Sequence, residues 1–256
     1  MVDRYRMADG SSITAGGNGY DENTYATAAT TYYAAGTNNM YVNREPRFYV
    51  NVTFNGATIP VVAASGQSRV EFFYTGNSGK KGIARDFPTT GYTARKNVHP
   101  TTNFSSGKYV NRPAMMIRLA EIYLNYAEAM IEYGNITEGL TYLNLVRNRA
   151  GLPSLAGGTV EELRKQVRLE RTIELMYEGH RYWDVRRWKV ADDPESHQTG
   201  EFHGMNMEGG ASLSDPVFHQ RKVAFKRAEW QDKYYFYPVP QSEIDRNKVL
   251  VQSRGY

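Results

Sequence analysis

Residues 120–146 read AEIYLNYAEAMIEYGNITEGLTYLNLV, and the spacing within this stretch decides the fold. Met116, Leu119, Ala120, Tyr123, Leu124, Ala127, Met130 and Ile131 recur at i, i+3, i+4 and i+7, which predicts a helix from about residue 113. Gly134-Asn135 stops it, because glycine accepts the left-handed conformation that closes a helix. A second helix follows over 137–149 with Leu140, Leu143 and Val146 on one face, ended by Gly151 and Pro153. The pair is in register with a tetratricopeptide pattern: Tyr123 at the aromatic position, Ala127 at the small position, Gly134 at the turn and Gly139 at the next small position. Pro153 comes about two residues late. Small side chains at these places let two antiparallel helices approach closely. No second copy occurs at the same period, and a lone repeat cannot bury its faces. Either the rest of the chain packs on it, or further repeats lie upstream and the N-terminal half of a longer protein is missing.

Outward from this pair, Thr159 and Glu162 form a capping box that opens a third helix, running to about residue 177. Gly179 breaks it, and a short fourth helix runs to about residue 189. Residues 1–45 read as loop with one short helix near 25–33. Segments 47–54, 58–63 and 69–75 are β-branched and aromatic and read as short strands, the first two as a hairpin across Asn55-Gly56. Residues 191–216 read as loop, 217–227 and 233–239 as late strands, and Pro240 opens a last helical turn. The expected fold class is mainly α with minor β: tetratricopeptide-like helix pairs packed with a loop-rich region of short strands. It forms one domain over 1–256, with parts 1–111, 112–190 and 191–256.

Composition narrows the function. Of 256 residues, 41% are hydrophobic and 23% charged, enough to build a core. The formal charge of +4 is spread without a basic block, which argues against nucleic-acid binding. No apolar run approaches the roughly 18 residues of a membrane span. The absence of cysteine excludes disulfides, thiolate metal sites, cysteine nucleophiles and thiol-linked lipid anchors within this chain.

The densest chemical cluster is 169–188, LERTIELMYEGHRYWDVRRW. Glu170, Glu174 and Glu178 repeat every four residues, so one helix face would carry all three. Like charges at that spacing repel, so cations must stand between them. The expectation is a structural ion-pair network of Glu170, Arg171, Glu174, Glu178, Arg181, Asp184 and Arg187. A glycoside hydrolase needs two carboxylates facing each other across a substrate, not three stacked on one helix. A di-iron site needs Glu-x-x-His, whereas Glu178 and His180 stand two apart. The five histidines are scattered, with no His-Glu-x-x-His. No catalytic residue, metal or cofactor is expected.

Aromatic groups remain. A sugar ring offers an apolar C–H face to an aromatic plane and polar edges to amides. Tyr32, Tyr33 and Tyr41 beside Asn38 and Asn43 are therefore candidate ligand contacts, the alternative being tyrosines that pin loops to the body. The run 234–237, YYFY, is assigned to the core.

Three stretches carry a family resemblance: 116–129 followed by the turn at 146–153; Glu170-Arg-x-x-Glu-Leu-x-x-Glu-Gly-His-Arg-x-x-Asp-x-x-Arg-Trp188; and 237–247, YPVPQSEIDRN, leading to Gln252 and Gly255-Tyr256. Together they resemble the C-terminal half of a SusD/RagB-family protein. Segments 1–10 and 43–48 extend the likeness over nearly the whole chain. One departure is Gln252-Ser-Arg-Gly, where the family usually has Gln-Asn-Pro-Gly. The resemblance implies a non-enzymatic, surface-exposed outer-membrane lipoprotein of Bacteroidetes that captures nutrients, often oligosaccharides, for a SusC-like TonB-dependent transporter. Its membrane attachment would be only through a lipid anchor outside this chain. The alternatives are a scaffold half that docks on the transporter with the ligand site elsewhere, and a glycoside hydrolase built on Glu170, Glu174 or Glu178.

Overall fold

The computed structural model describes residues 1–59, 69–82, 85–103 and 106–256. Its regular structure is mostly helical, with short strands. Its helices are α1 (Pro46–Asn51), α2 (Leu119–Tyr133), α3 (Ile136–Arg149), α4 (Val160–Glu174), α5 (His180–Arg187) and α6 (Gln241–Arg246). Its strands are β1 (Val52–Thr53), β2 (Thr93–Ala94), β3 (Gly200–Met205) and β4 (Arg221–Arg227). Two compact units result, Met1–Tyr177 with Gly204–Lys222, and Glu178–His203 with Val223–Tyr256.

In the first unit α2 and α3 form the expected helix pair. Gly134 takes φ 92° and its N–H bonds to the Ile131 carbonyl, while Asn135 turns the chain and its side chain accepts from the Glu138 N–H to cap α3. A Cβ on Gly139 would stand 2.6 Å from Ile131 Cγ1 and 3.2 Å from the Ala127 carbonyl oxygen, so the absent side chain is what permits the approach. Leu124, Ala127 and Ile131 of α2, Leu140, Leu143 and Val146 of α3, and Leu163 and Val167 of α4 fill one core. Thr159 and Glu162 complete their reciprocal capping box.

Two helix boundaries depart from the periodicity, for one reason. α2 begins at Leu119 because Arg118 is extended (φ −137°, ψ 155°) and its Nη1 and Nη2 donate to Glu174 Oε1 at 2.7 Å and to the Glu174 carbonyl at 2.6 Å. α4 ends at Glu174, not near 177, where that carbonyl is taken by Arg118 and by Lys96 Nζ at 2.7 Å. Cations suit a helix C-terminus, whose last carbonyls lack intrahelical partners.

The early strands are mostly corrected. Residues 46–51 are helical, with Pro46 in the first turn, where its fixed φ and missing N–H cost nothing. Only Val52 and Thr53 remain extended, and they pair antiparallel with Ala94 and Thr93 instead of forming a hairpin with 58–63. Residues 60–63 of that expected hairpin lie outside the described residues. Among the described residues segment 69–75 makes a single bridge, Thr58 with Arg69; the Glu71 and Phe72 N–H groups donate to the Asn77 and Asn55 side chains, so amides replace a ladder. Residues 25–33 are not helical; Tyr25 bridges Asn38 and Tyr33 bridges Ala57. Tyr5, Tyr41, Phe48, Phe54, Phe73 and Phe218 build the second core of this unit.

β3 forms in a stretch expected as loop and pairs with β4, which matches the expected late strand. Residues 232–235 are a short 3-10 turn, not a strand. In the second unit Gln252 holds Val239 by both backbone groups: its Oε1 accepts from the N–H at 2.7 Å and its Nε2 donates to the carbonyl at 3.0 Å. The amide side chain thus imitates one rung of a sheet and fixes the Pro-Val-Pro segment ahead of α6.

Candidate functional site

A tight turn at residues 30–33 divides the adjacent tyrosines. Thr30 Oγ1 accepts from the Tyr32 and Tyr33 N–H groups, the Thr30 N–H donates to the Tyr33 carbonyl at 2.8 Å, and Thr58 N–H donates to the Tyr32 carbonyl at 3.0 Å. Tyr33 points into the core. Tyr32 points out, 47% exposed, and lies flat on Tyr49 with ring centroids 4.4 Å apart and planes 8° apart. Tyr49 is buried; its hydroxyl accepts from the Arg44 N–H at 3.1 Å and donates to the Tyr41 carbonyl at 2.7 Å. Burial pushes that hydroxyl up to about 12, so it remains a donor at neutral pH. Tyr32 is therefore an exposed aromatic plane on a rigid buried base.

The other candidates separate. Tyr41 is completely buried, packs on Phe48 and Phe54, and shares a 3.0 Å hydrogen bond with the Tyr92 hydroxyl. A ring without an exposed face cannot stack on a sugar, so Tyr41 is a packing group. Asn38 is buried; it accepts from the Met40 N–H and donates to the Glu22 carbonyl at 2.8 Å, and so fastens its own loop. Asn43 is exposed and left-handed at φ 53°, a conformation asparagine tolerates. Tyr33, Asn38 and Tyr41 are thus buried, and of the five candidates Tyr32 and Asn43 lie at the surface.

The carboxylate cluster is buried and cation-bound. Arg47 bridges three acids: Nη2 to Glu45 Oε2 at 2.6 Å, Nη1 to Glu170 Oε1 at 2.5 Å and Nη1 to Glu174 Oε2 at 3.0 Å. Arg118 and Arg149 also bind Glu174, Arg147 binds Glu170 at 3.4 Å, and Arg171 meets Glu128 at 3.6 Å. Burial alone would raise the Glu174 carboxyl, but the Arg118 hydrogen bond and the charges of Arg47, Arg149 and Arg118 hold it below the ordinary range. Burial pushes Glu45 up, only partly opposed by Arg47. Glu170 and Glu174 share a face of α4, as their spacing requires. Glu178 does not, because the helix has ended and Tyr177 and Gly179 take φ 61° and 83°. In the second unit, Arg187 Nε meets Asp184 Oδ1 at 2.8 Å and Arg181 donates to the Ser196 carbonyl at 2.7 Å. The cation that organises the acids, Arg47, stands 123 residues from Glu170, and sequence spacing gave no sign of it. Among the described residues no three histidine or carboxylate groups converge as a metal ion would need.

The run 234–237 also departs from expectation. Phe236 and Tyr237 are exposed, and Tyr237 lies 6.2 Å from Tyr182 and 6.5 Å from Trp183, which is 59% exposed. The Arg186 guanidinium stands 3.5 Å from the Tyr182 ring centroid. Period-2 alternation does not apply to a segment without a ladder, so its aromatics are not forced inward.

A sequence model of the SusD family matches residues 1–256. The chain is 26% identical over 206 residues to the starch-binding protein SusD of Bacteroides thetaiotaomicron, covering 78% of this chain and 33% of that protein. Among solved structures it resembles a SusD-like protein from Bacteroides fragilis, at 32% identity and TM-score 0.73, covering all of this chain and 45% of that one. It also resembles a SusD-like carbohydrate-binding protein from the same species, at 27% identity and TM-score 0.67, covering 98% and 47%. The chain thus spans about a third to a half of the length of these relatives. Because that family model matches the chain from its first residue to its last, the chain belongs to the SusD family.

Proposed function

We propose that this chain serves in cell-surface glycan capture, binding oligosaccharide for a SusC-like TonB-dependent transporter at the outer membrane and releasing it unaltered. The observation that carries this reading is the Tyr32 plane, outward-facing and backed by Tyr49 at 4.4 Å. A preset aromatic surface stacks a sugar without first paying for loop ordering. Glu170 and Glu174 are sequestered by arginines, which suits a structural role better than acid–base work. Among the described residues no helix is long and apolar enough to cross a membrane.

The test is native affinity electrophoresis of the chain against plant, microbial and mucin polysaccharides, with Tyr32→Ala beside wild type. An aromatic contact is worth about 0.5–1.5 kcal/mol, so the variant should bind its polysaccharide about 2- to 13-fold more weakly, while loss of the Tyr49 stack lowers the melting temperature by about 1–6 °C. A lower melting temperature with undiminished binding would make Tyr32 a packing group. Release of reducing sugar by the wild-type chain would instead support hydrolysis.

A second reading, a scaffold that docks on another protein, is favoured by one feature. Leu119, Ile122, Tyr126 and Tyr133 of α2 are exposed at helical spacing, an apolar face of the kind proteins use for association. A folded chain that no polysaccharide retards would put that reading first.

A further inference from the structure

We infer that the β3–β4 ribbon is a separate subsite for an anionic glycan, with Arg227 reading a uronate carboxylate beside the Phe225 ring. This rests on the glycan-capture reading and adds a charge class to it. β4 carries Arg221, Lys222, Lys226 and Arg227 in seven residues and no acid. Arg221 is consumed by Asp3 and Glu22. Lys222, Lys226 and Arg227 are exposed, and none has an ion pair among the described residues.

Alternation along a strand puts Val223, Phe225 and Arg227 on one face. Val223 is 50% and Phe225 42% exposed. Phe202 of β3 lies on the same face, stacked on Phe225 at 4.6 Å with planes 9° apart. The Arg227 guanidinium stands 4.9 Å from the Phe202 centroid and 5.9 Å from that of Phe225. The aromatic pair thereby orients the cation, while among the described residues no carboxylate occupies its donor fork.

An exposed apolar ring beside an unpaired planar cation matches an acidic sugar, which presents a C–H face and a carboxylate together. The fork geometry favours bidentate binding of that carboxylate. An acidic protein would satisfy the charge but would not need the flat face of Phe225. Glu201, on the same ribbon, lies 3.9 Å from His203 and leaves Arg227 uncompensated.

The experiment is affinity electrophoresis of the whole chain in polygalacturonate, its methyl ester, dextran sulfate and a neutral glucan, with polyglutamate as competitor. Wild type is compared with Arg227→Gln and with Lys226→Gln on the opposite face. The expected result is retardation by polygalacturonate, lost on esterification and weakened roughly tenfold or more by Arg227→Gln. Lys226→Gln should change it by less than about twofold. Melting curves of both variants should overlay wild type, since both side chains are exposed. Equal retention by dextran sulfate with Arg227→Gln unaffected, or competition by polyglutamate at equal charge, would overturn the inference in favour of general charge attraction. Retention by the neutral glucan alone would overturn it while leaving glycan capture intact. Retention by none of the four would remove the subsite and count against capture as well.

Discussion

Replacing Arg47 with methionine tests whether the buried glutamates are structural. Glu174 would keep Arg118 and Arg149, and Glu170 would keep Arg147. Glu45 would keep, among the described residues, only the Arg6 N–H at 2.9 Å, with its side chain completely buried. Removing one partner of a buried pair costs about 3–5 kcal/mol, because the charge left behind is desolvated and uncompensated. Total stability of a domain is about 5–15 kcal/mol. At about 2–4 °C per kcal/mol for a domain of this size, the melting temperature should fall by about 6–20 °C. Thermal and urea unfolding followed by circular dichroism would read it. Two further outcomes identify the stranded group. Glu45→Gln on the Arg47→Met background should restore part of the loss. The deficit should also shrink as pH falls: burial already raises Glu45 in the fold, and losing Arg47 raises it further, so protonation in acid relieves the penalty. A deficit under about 1 kcal/mol, or no recovery with Glu45→Gln, would refute the reasoning.

Three other outcomes follow from the same geometry. Gly139→Val should destabilise by about 1–3 kcal/mol, because any Cβ meets Ile131 Cγ1 at 2.6 Å; urea midpoints would show it. Thr159→Ala removes the cap of α4 and should cost about 0.5–2 kcal/mol in the same assay. His219 is held neutral: burial lowers its pKa, outweighing the opposing effects of the Asp215 carbonyl at 3.1 Å and the Asp215 and Glu22 charges. Its contribution to stability is therefore complete above the unfolded value of about 6.5 and is lost as pH falls below it towards the folded value. The slope reaches at most about 1.4 kcal/mol per pH unit, and His219→Phe should flatten that part of the profile.

The sequence by itself determined the elements whose signals are local. Apolar spacing and Gly134 set the α2–α3 pair, and the absent side chain at Gly139 set its closeness. Thr159 with Glu162 fixed the start of α4, and Pro240 the start of α6. These depend on hydrogen bonds and contacts within a few residues, so the residues that decide them adjoin in the chain. Tertiary structure decided the rest. Residues 47–51 have strand-like composition, yet burial of Phe48 and Tyr49 in the aromatic core, after Pro46, made them helical. The end of α4 depended on Arg118 and Lys96 reaching its last carbonyl from 56 and 78 residues away. The candidate site divided in the same way. Composition picked out Tyr32, Tyr33 and Tyr41 as equals, and long-range packing turned one ring to solvent and buried the other two. A glutamate row is visible in one helix, but Arg47, the arginine that bridges both of its buried members, comes from a segment more than 120 residues distant. Local periodicity reports which way a regular element faces; it carries no such information for loops, whose side chains are sorted only by what the rest of the fold brings against them.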